Sequence, residues 1–196
     1  MQPTDPTELA TGPAADPSRA PASGPPPEER LFARVGRVAG VIASERFPTG
    51  LRAALKRMAP HQSPGLAFHR FYAQYIDANG CPDGQLADWS AILAGIARMT
   101  TPPQSGHQSG AQARMGAVLA DCGYSEKRLE RLLSTADPNV RRVLFTRATR
   151  FLAARGVPWD WAEAAAWLLS AADKREGMSH RIARDFYRNL FKKEDH

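Results

Sequence analysis

The chain has 196 residues, with 26 Lys and Arg against 20 Asp and Glu, a formal charge of +6, and two cysteines, Cys81 and Cys122. That length suits one domain or two small ones whose core needs no staples, and two distant cysteines outside any CxxC pattern argue against a disulfide scaffold and for a reducing compartment. No apolar stretch approaches the roughly 18 residues of a membrane span and the start lacks an apolar run flanked by basic residues, so the reading is a soluble cytoplasmic protein.

Charge is unevenly placed. Residues 1 to 30 carry Asp5, Glu8, Asp16, Glu28 and Glu29 against Arg19 and Arg30, a net −3, which leaves +9 for the rest. A basic domain of this size points to an acidic partner, nucleic acid first.

Residues 1–27 are rich in Pro, Ala, Ser, Thr and Gly and offer almost nothing to bury, so they read as a disordered tail. A helical domain is expected over 28–192, with room for two packed subdomains at about 28–110 and 111–192. The first helix, Glu28 to Glu45, places Leu31, Val35, Val38 and Ile42 on one side and Arg30, Arg34 and Arg37 on another. After Pro48, Thr49 can cap a short helix with Leu51, Leu55 and Met58 inward and Arg52, Lys56 and Arg57 outward. Phe68, Phe71, Tyr72 and Tyr75 then recur at helical spacing; aromatics can stack on bases, but this spacing favours core packing.

A turn through Asn79, Gly80, Pro82 and Gly84 precedes a helix from about Gln85 to Met99 that buries Leu86, Trp89, Leu93 and Ile96. Thr100 to Gly110 reads as a polar, flexible loop with His107 exposed in it. Helix resumes to Cys122 with Met115, Val118 and Leu119 inward.

From Gly123 to Trp161 three helix signals follow one another. Ser125 stands at an N-cap before Leu129, Leu132, Leu133 and Ala136. Asp137 caps a helix opened by Pro138, with Val140, Val143, Leu144, Ala148, Phe151 and Leu152 as its stripe, and Gly156 stops it. Asp160 and Glu163 have the form of a capping box before Trp161, Ala164, Ala165, Leu168 and Ala172. Residues 173–177 read as a charged turn, and Ser179 as the cap of a last helix with Ala183, Phe186, Tyr187 and Leu190 inward and Arg181, Arg184, Arg188 and Lys192 as a basic stripe. With no strand alternation anywhere, the expected fold is all-α, a compact bundle of about eight to nine helices.

The polar faces are rich in cations. Lys127, Arg128, Arg131, Arg141, Arg142, Arg147 and Arg150 lie off the apolar stripes, and between Lys127 and Arg155 only Glu130 and Asp137 are acidic. A charge run alone has a solvated helix face as its bland reading, but such an excess over successive helices with few acids resembles the footprint of a phosphate-backbone binder. Chemistry is not signalled. His61 and His69 form no HExxH pattern, neither cysteine has zinc-spaced neighbours, and no glycine-rich phosphate loop follows a strand, so neither catalysis, metal nor cofactor is expected.

The order Gly123-Tyr124-Ser125-Glu126-Lys127-Arg128-Leu129, Arg131-Leu132-Leu133, Arg150-Phe151-Leu152, Asp160-Trp161 and Arg181-Ile182-Ala183-Arg184-Asp185-Phe186-Tyr187 resembles the CasB family, the small subunit of the type I-E CRISPR Cascade surveillance complex. Leu55-Lys56-Arg57-Met58 and the aromatic helix at Phe68 to Tyr75 match its upstream elements, so the resemblance covers residues 47–190. It implies a non-catalytic, all-helical subunit present as a head-to-tail pair, beside the backbone and large subunits. There it would lie along guide RNA paired with target DNA and hold the displaced strand of the R-loop in antiviral defence. Carried over by position, the contacts are Lys56, Arg57, Arg128, Arg150, Lys174 and Arg175; Arg131, Arg181 and Arg184 join them from the basic stripes. Ser134 stands where the family often has an arginine, and the Pro-rich tail and the loop at 100–110 depart from the family's core pattern. Two rivals stay open on the residues alone: a helix-turn-helix regulator and a basic helical adaptor that docks an acidic protein.

Overall fold

The computed structural model describes residues 27–76 and 83–194. The tail reading and most of the turn at Asn79 to Pro82 lie outside these residues. The described chain is all-helical: α1 Pro27–Ala43, α2 Thr49–Arg57, α3 Leu66–Tyr75, α4 Leu86–Met99, α5 Met115–Asp121, α6 Glu126–Ser134, α7 Pro138–Ala153, α8 Trp161–Leu169 and α9 Ala172–Glu194. Among these residues the only β pairing is two isolated bridges, Thr101 with Gln104 and His107 with Trp159.

Helix α4 is the axis of the core. Its sequence LADWSAILAGIARM is buried continuously from Asp88 to Ala97, the pattern of a helix covered on all sides. It packs against α2 and α7 and against α8 and α1, while α5 lies along α9. Small residues set the closest approaches. A Cβ on Gly95 would fall 2.2 Å from Cη2 of Trp161. Phe145 of α7, outside the stripe read from the sequence, sits among Trp159, Trp161 and Trp167 with ring centroids 5.8, 6.1 and 6.2 Å away. All four rings are fully buried. Phe68, Phe71 and Tyr72 are core residues, as their spacing implies.

Several helix ends differ from expectation. Pro48, not Thr49, occupies the N-cap of α2, and Ser125 stands at the N-cap of α6 without a side-chain cap bond. Asp137 accepts from the N–H groups of Asn139 and Val140 as expected. Asp160 likewise accepts from Ala162 and Glu163, but Glu163 does not complete a capping box. Its carboxylate accepts the N–H of Met115 at 2.7 Å and so caps α5 from another helix. The charged turn at 173–177 is helical, and Ser179 lies inside α9, where its hydroxyl accepts the indole N–H of Trp167 at 2.9 Å. Chain reversal occurs earlier, at Ser170 and Ala171, so Ala172 belongs to α9 and is exposed. Val140 is exposed as well, because the first turn of α7 projects beyond the core.

The segment after α4 is tied to the core by the backbone. Gln108 N–H donates to Trp159 O, Trp159 N–H to Gly106 O and Asp160 N–H to Ala113 O. His107 is half-buried rather than exposed, and its Nδ1 accepts the N–H of Trp161 at 3.1 Å. His107 and Asp160 together therefore satisfy the first three N–H groups of α8.

Burial raises the pKa of the Glu163 carboxyl, against the Met115 N–H that lowers it. The native state thus holds this proton above pH 4.5, the group's ordinary value, where the unfolded chain has released it. Its stabilising contribution is present below that pH and is lost as pH rises through the elevated native value. Glu163→Gln, which can still accept from Met115, is expected to flatten that decline. Glu163→Ala should cost about 1–2 kcal/mol by orphaning the Met115 N–H. Urea midpoints measured across the acid range for the three proteins check both outcomes.

Candidate nucleic-acid interface

Arginines off the apolar stripes divide into two kinds. Five reach carbonyls at or beside helix ends, where unpaired C=O groups and the negative pole of the helix dipole favour a cation. Arg52, read from the sequence as a surface cation, is buried and donates to Ile42 O, Ser44 O and Phe47 O at the end of α1. Arg98 donates to Lys56 O at 2.6 Å, Arg155 to Phe151 O, and Arg141 to Ala136 O. Arg175 turns inward to Trp167 O and Ser170 O at the end of α8. Arg142 pairs with Asp88 at 3.0 Å, and Arg114 with Asp185 at 3.4 Å. Removing Arg52 by substitution to alanine is expected to cost about 2–4 kcal/mol, since three carbonyls lose a charged donor; thermal or urea unfolding reads it.

The second kind faces outward along α6 and α7. A groove of about 740 Å³ between these helices is lined by Lys127, Arg128, Arg131 and Arg147 against the single acid Glu130, with Tyr124 and Phe151 as its aromatic wall. The two rings meet edge to face, centroids 5.1 Å apart, and the Arg155 guanidinium lies 3.6 Å above Phe151. Burial raises the pKa of the Tyr124 phenol, while the charges of Arg128 and Arg147 act to lower it. Both guanidinium groups therefore lie near this ring. Among the described residues none of Lys127, Arg128, Arg131, Arg147 and Arg150 forms an ion pair.

Arg150 follows Arg147 by one turn of α7 and extends the row. Burial, and then the charge of Arg150, lower the pKa of Arg98, whose Nη1 is buried without a hydrogen-bond partner among the described residues. Arg98 in turn holds the end of α2, where Lys56 is half-buried and Arg57 exposed. The cations of α6 and α7 thus follow one another as a track with an excess of positive charge beside an aromatic wall.

Lys56 sits at the end of α2 that Arg98 holds, and Arg57 lines a separate pocket with Met58 and Phe68; of the nine residues singled out from sequence, Arg128, Arg131 and Arg150 belong to the track. Lys174 and Arg181 do not. They line a separate groove of about 500 Å³ with Arg34, over an apolar floor that includes Phe32 and Trp89. Arg184 is exposed on α9, and Arg175 serves the end of α8. Arg98 was missed, although a lone cation in the last turn of an apolar helix is the available signal; Arg147 stood in the basic run but was not selected. Among the described residues no group of three or more His, Cys, Asp or Glu side chains is placed to hold a metal ion, and no helix is long and apolar enough to cross a membrane.

A helical scaffold that commits five arginines to carbonyls at its helix ends and leaves a row of others unneutralised belongs to the class of basic all-α proteins. The particular family follows from sequence: residues 51–187 match the family described as CRISPR-associated protein Cse2, and the chain belongs to it, the CasB or Cse2 family of type I-E Cascade small subunits. The crystal structure of M. ruber CasB has the same fold, with a TM-score of 0.60 at 18% identity over 86% of this chain and 97% of that one. No curated protein matches the sequence.

Proposed function

We propose that this subunit binds nucleic acid through its sugar–phosphate backbone along the α6–α7 track and takes no catalytic part in the complex. The observation that carries the reading is the row Lys127, Arg128, Arg131, Arg147 and Arg150, unpaired among the described residues and flanking an aromatic-walled groove. Cations without acid partners attract the phosphates of a nucleic-acid backbone. This suits the displaced DNA strand of an R-loop, next to guide RNA paired with target DNA. Since strand exchange there is nearly balanced, backbone contacts tip it without reading sequence. Backbone and large subunits of Cascade and a second copy of this chain are the protein partners in this reading.

A helix-turn-helix regulator would concentrate its contacts on one recognition helix. Here the outward cations are spread over α2, α6 and α7, which favours backbone tracking. Arg128→Ala and Arg150→Ala, both at exposed positions, are each expected to weaken retention of random-sequence DNA severalfold with unchanged helical content. Filter binding alongside circular dichroism tests this. Undiminished retention in both variants, or a strong preference for one short duplex, would overturn the proposal.

A further inference from the structure

Helix α6 has two different sides. Toward α7 it presents Lys127, Arg128 and Arg131, whereas toward α9 it carries Glu126, with Glu130 on the crest between. The α6–α9 side is a groove of about 570 Å³, predominantly apolar, whose floor and walls include Leu129, Leu133, Ala136, Ala183 and Tyr187. Its rim is acidic. Glu130 and Glu176 line it, and Glu126 accepts the Tyr187 hydroxyl at 3.0 Å. Of the basic side chains along it, Arg175 is turned to the α8 carbonyls and the His180 ring stands 3.9 Å from Glu176. Beyond Tyr187 the apolar surface continues to Phe191, which is 55% exposed and stacked on Tyr187 with centroids 6.0 Å apart.

An apolar furrow with stacked exposed aromatics at one end is a surface that a partner covers. Carboxylates at its rim repel phosphates, so it is unsuited to the ligand of the basic track. They also disfavour this chain's own first 26 residues, where Asp5, Glu8 and Asp16 outnumber Arg19. What complements it is an α-helix with apolar anchors at i, i+3 or i+4, and i+7 and Lys or Arg beside them. We propose that the α6–α9 groove docks such a basic amphipathic helix from another polypeptide of the assembly. The inference uses membership in a multi-subunit complex and not the nucleic-acid reading.

The test places a photoreactive benzoylphenylalanine at Ser134, an exposed residue lining this groove, in the full chain within the assembled complex. On irradiation, an adduct is expected with a helical, Lys- or Arg-flanked segment of a different subunit, mapped by mass spectrometry. The same adduct should be lost with Glu126→Lys and Glu176→Lys together, while nucleic-acid retention is undiminished. An adduct to a second copy, to nucleic acid or to a segment without basic residues would overturn the proposal, as would an adduct indifferent to the two substitutions or none at all. Loss of nucleic-acid binding by the track variants leaves this result unaffected, so the two readings fail separately.

Discussion

Replacing Arg128, Arg147 and Arg150 together by glutamate is expected to lower the affinity for random-sequence nucleic acid by about two orders of magnitude or more at low salt, with the far-UV circular dichroism spectrum unchanged. All three side chains are exposed, and none has an acid partner among the described residues, so nothing in the fold depends on their charge. Each substitution removes a phosphate contact and adds a repelling carboxylate. The control is Arg141→Glu. Arg141 is 4% exposed and donates to Ala136 O, so reversal there should destabilise the fold rather than selectively weaken binding. A charge effect that depended only on net charge would make the basic track no better a target than the paired arginines.

A loss of stability as large as that from removing Arg52 is expected from a single methyl group. A Cβ on Gly116 would stand 2.1 Å from Ile182 O and 2.9 Å from Phe186 N. These are the carbonyl and amide that one helical turn joins, so the added methyl group pushes on backbone and on a hydrogen bond of α9 at once. Helix α9 must then lift from α5, drawing Met178, Ile182 and Phe186 out of the core. Gly116→Ala should cost about 3 kcal/mol. Gly177→Ala on the exposed face of α9 meets nothing within 4 Å. It is expected to stabilise by about 0.5–1 kcal/mol, because alanine loses less backbone freedom in a helix. Urea midpoints of the pair would show opposite signs for the same chemical change on neighbouring helices.

Much of this architecture is legible from residue spacing. The stripes of α1 and α3, Leu129, Leu132 and Leu133 of α6, and the caps at Asp137 and Asp160 follow from local rules that the structure obeys, whereas Ala136, read as the end of the α6 stripe, lies beyond that helix and is exposed. What spacing does not carry is the destination of a long side chain. Arg52 and Arg57 lie five residues apart in α2, both off its apolar stripe, yet one is buried on the carbonyls of Ile42, Ser44 and Phe47 and the other faces outward. Arg98 meets a carbonyl 42 residues away, a contact only the assembled fold creates. Polar loops mislead in the same manner. Thr100 to Gly110 looks unstructured by composition, but Trp159 and Asp160 return to bond this stretch and the residues that follow it, and His107 is drawn into the start of α8. The run Lys174-Arg175-Glu176-Gly177 reads as a turn for its polarity, although three of the four are good helix formers and Trp167 fixes Ser179 within α9.

The measurement that bears most directly on the central claim is the dependence of nucleic-acid affinity on salt for the full chain and for the triple alanine variant at Arg128, Arg147 and Arg150. Binding of a random-sequence single strand is expected to fall linearly on a double-logarithmic plot with a slope of about −3 or steeper, and the variant's slope should be shallower by about 2, one increment for each lost phosphate contact. A slope near zero, or one that the three substitutions leave unchanged, would contradict the assignment of this track to the phosphate backbone.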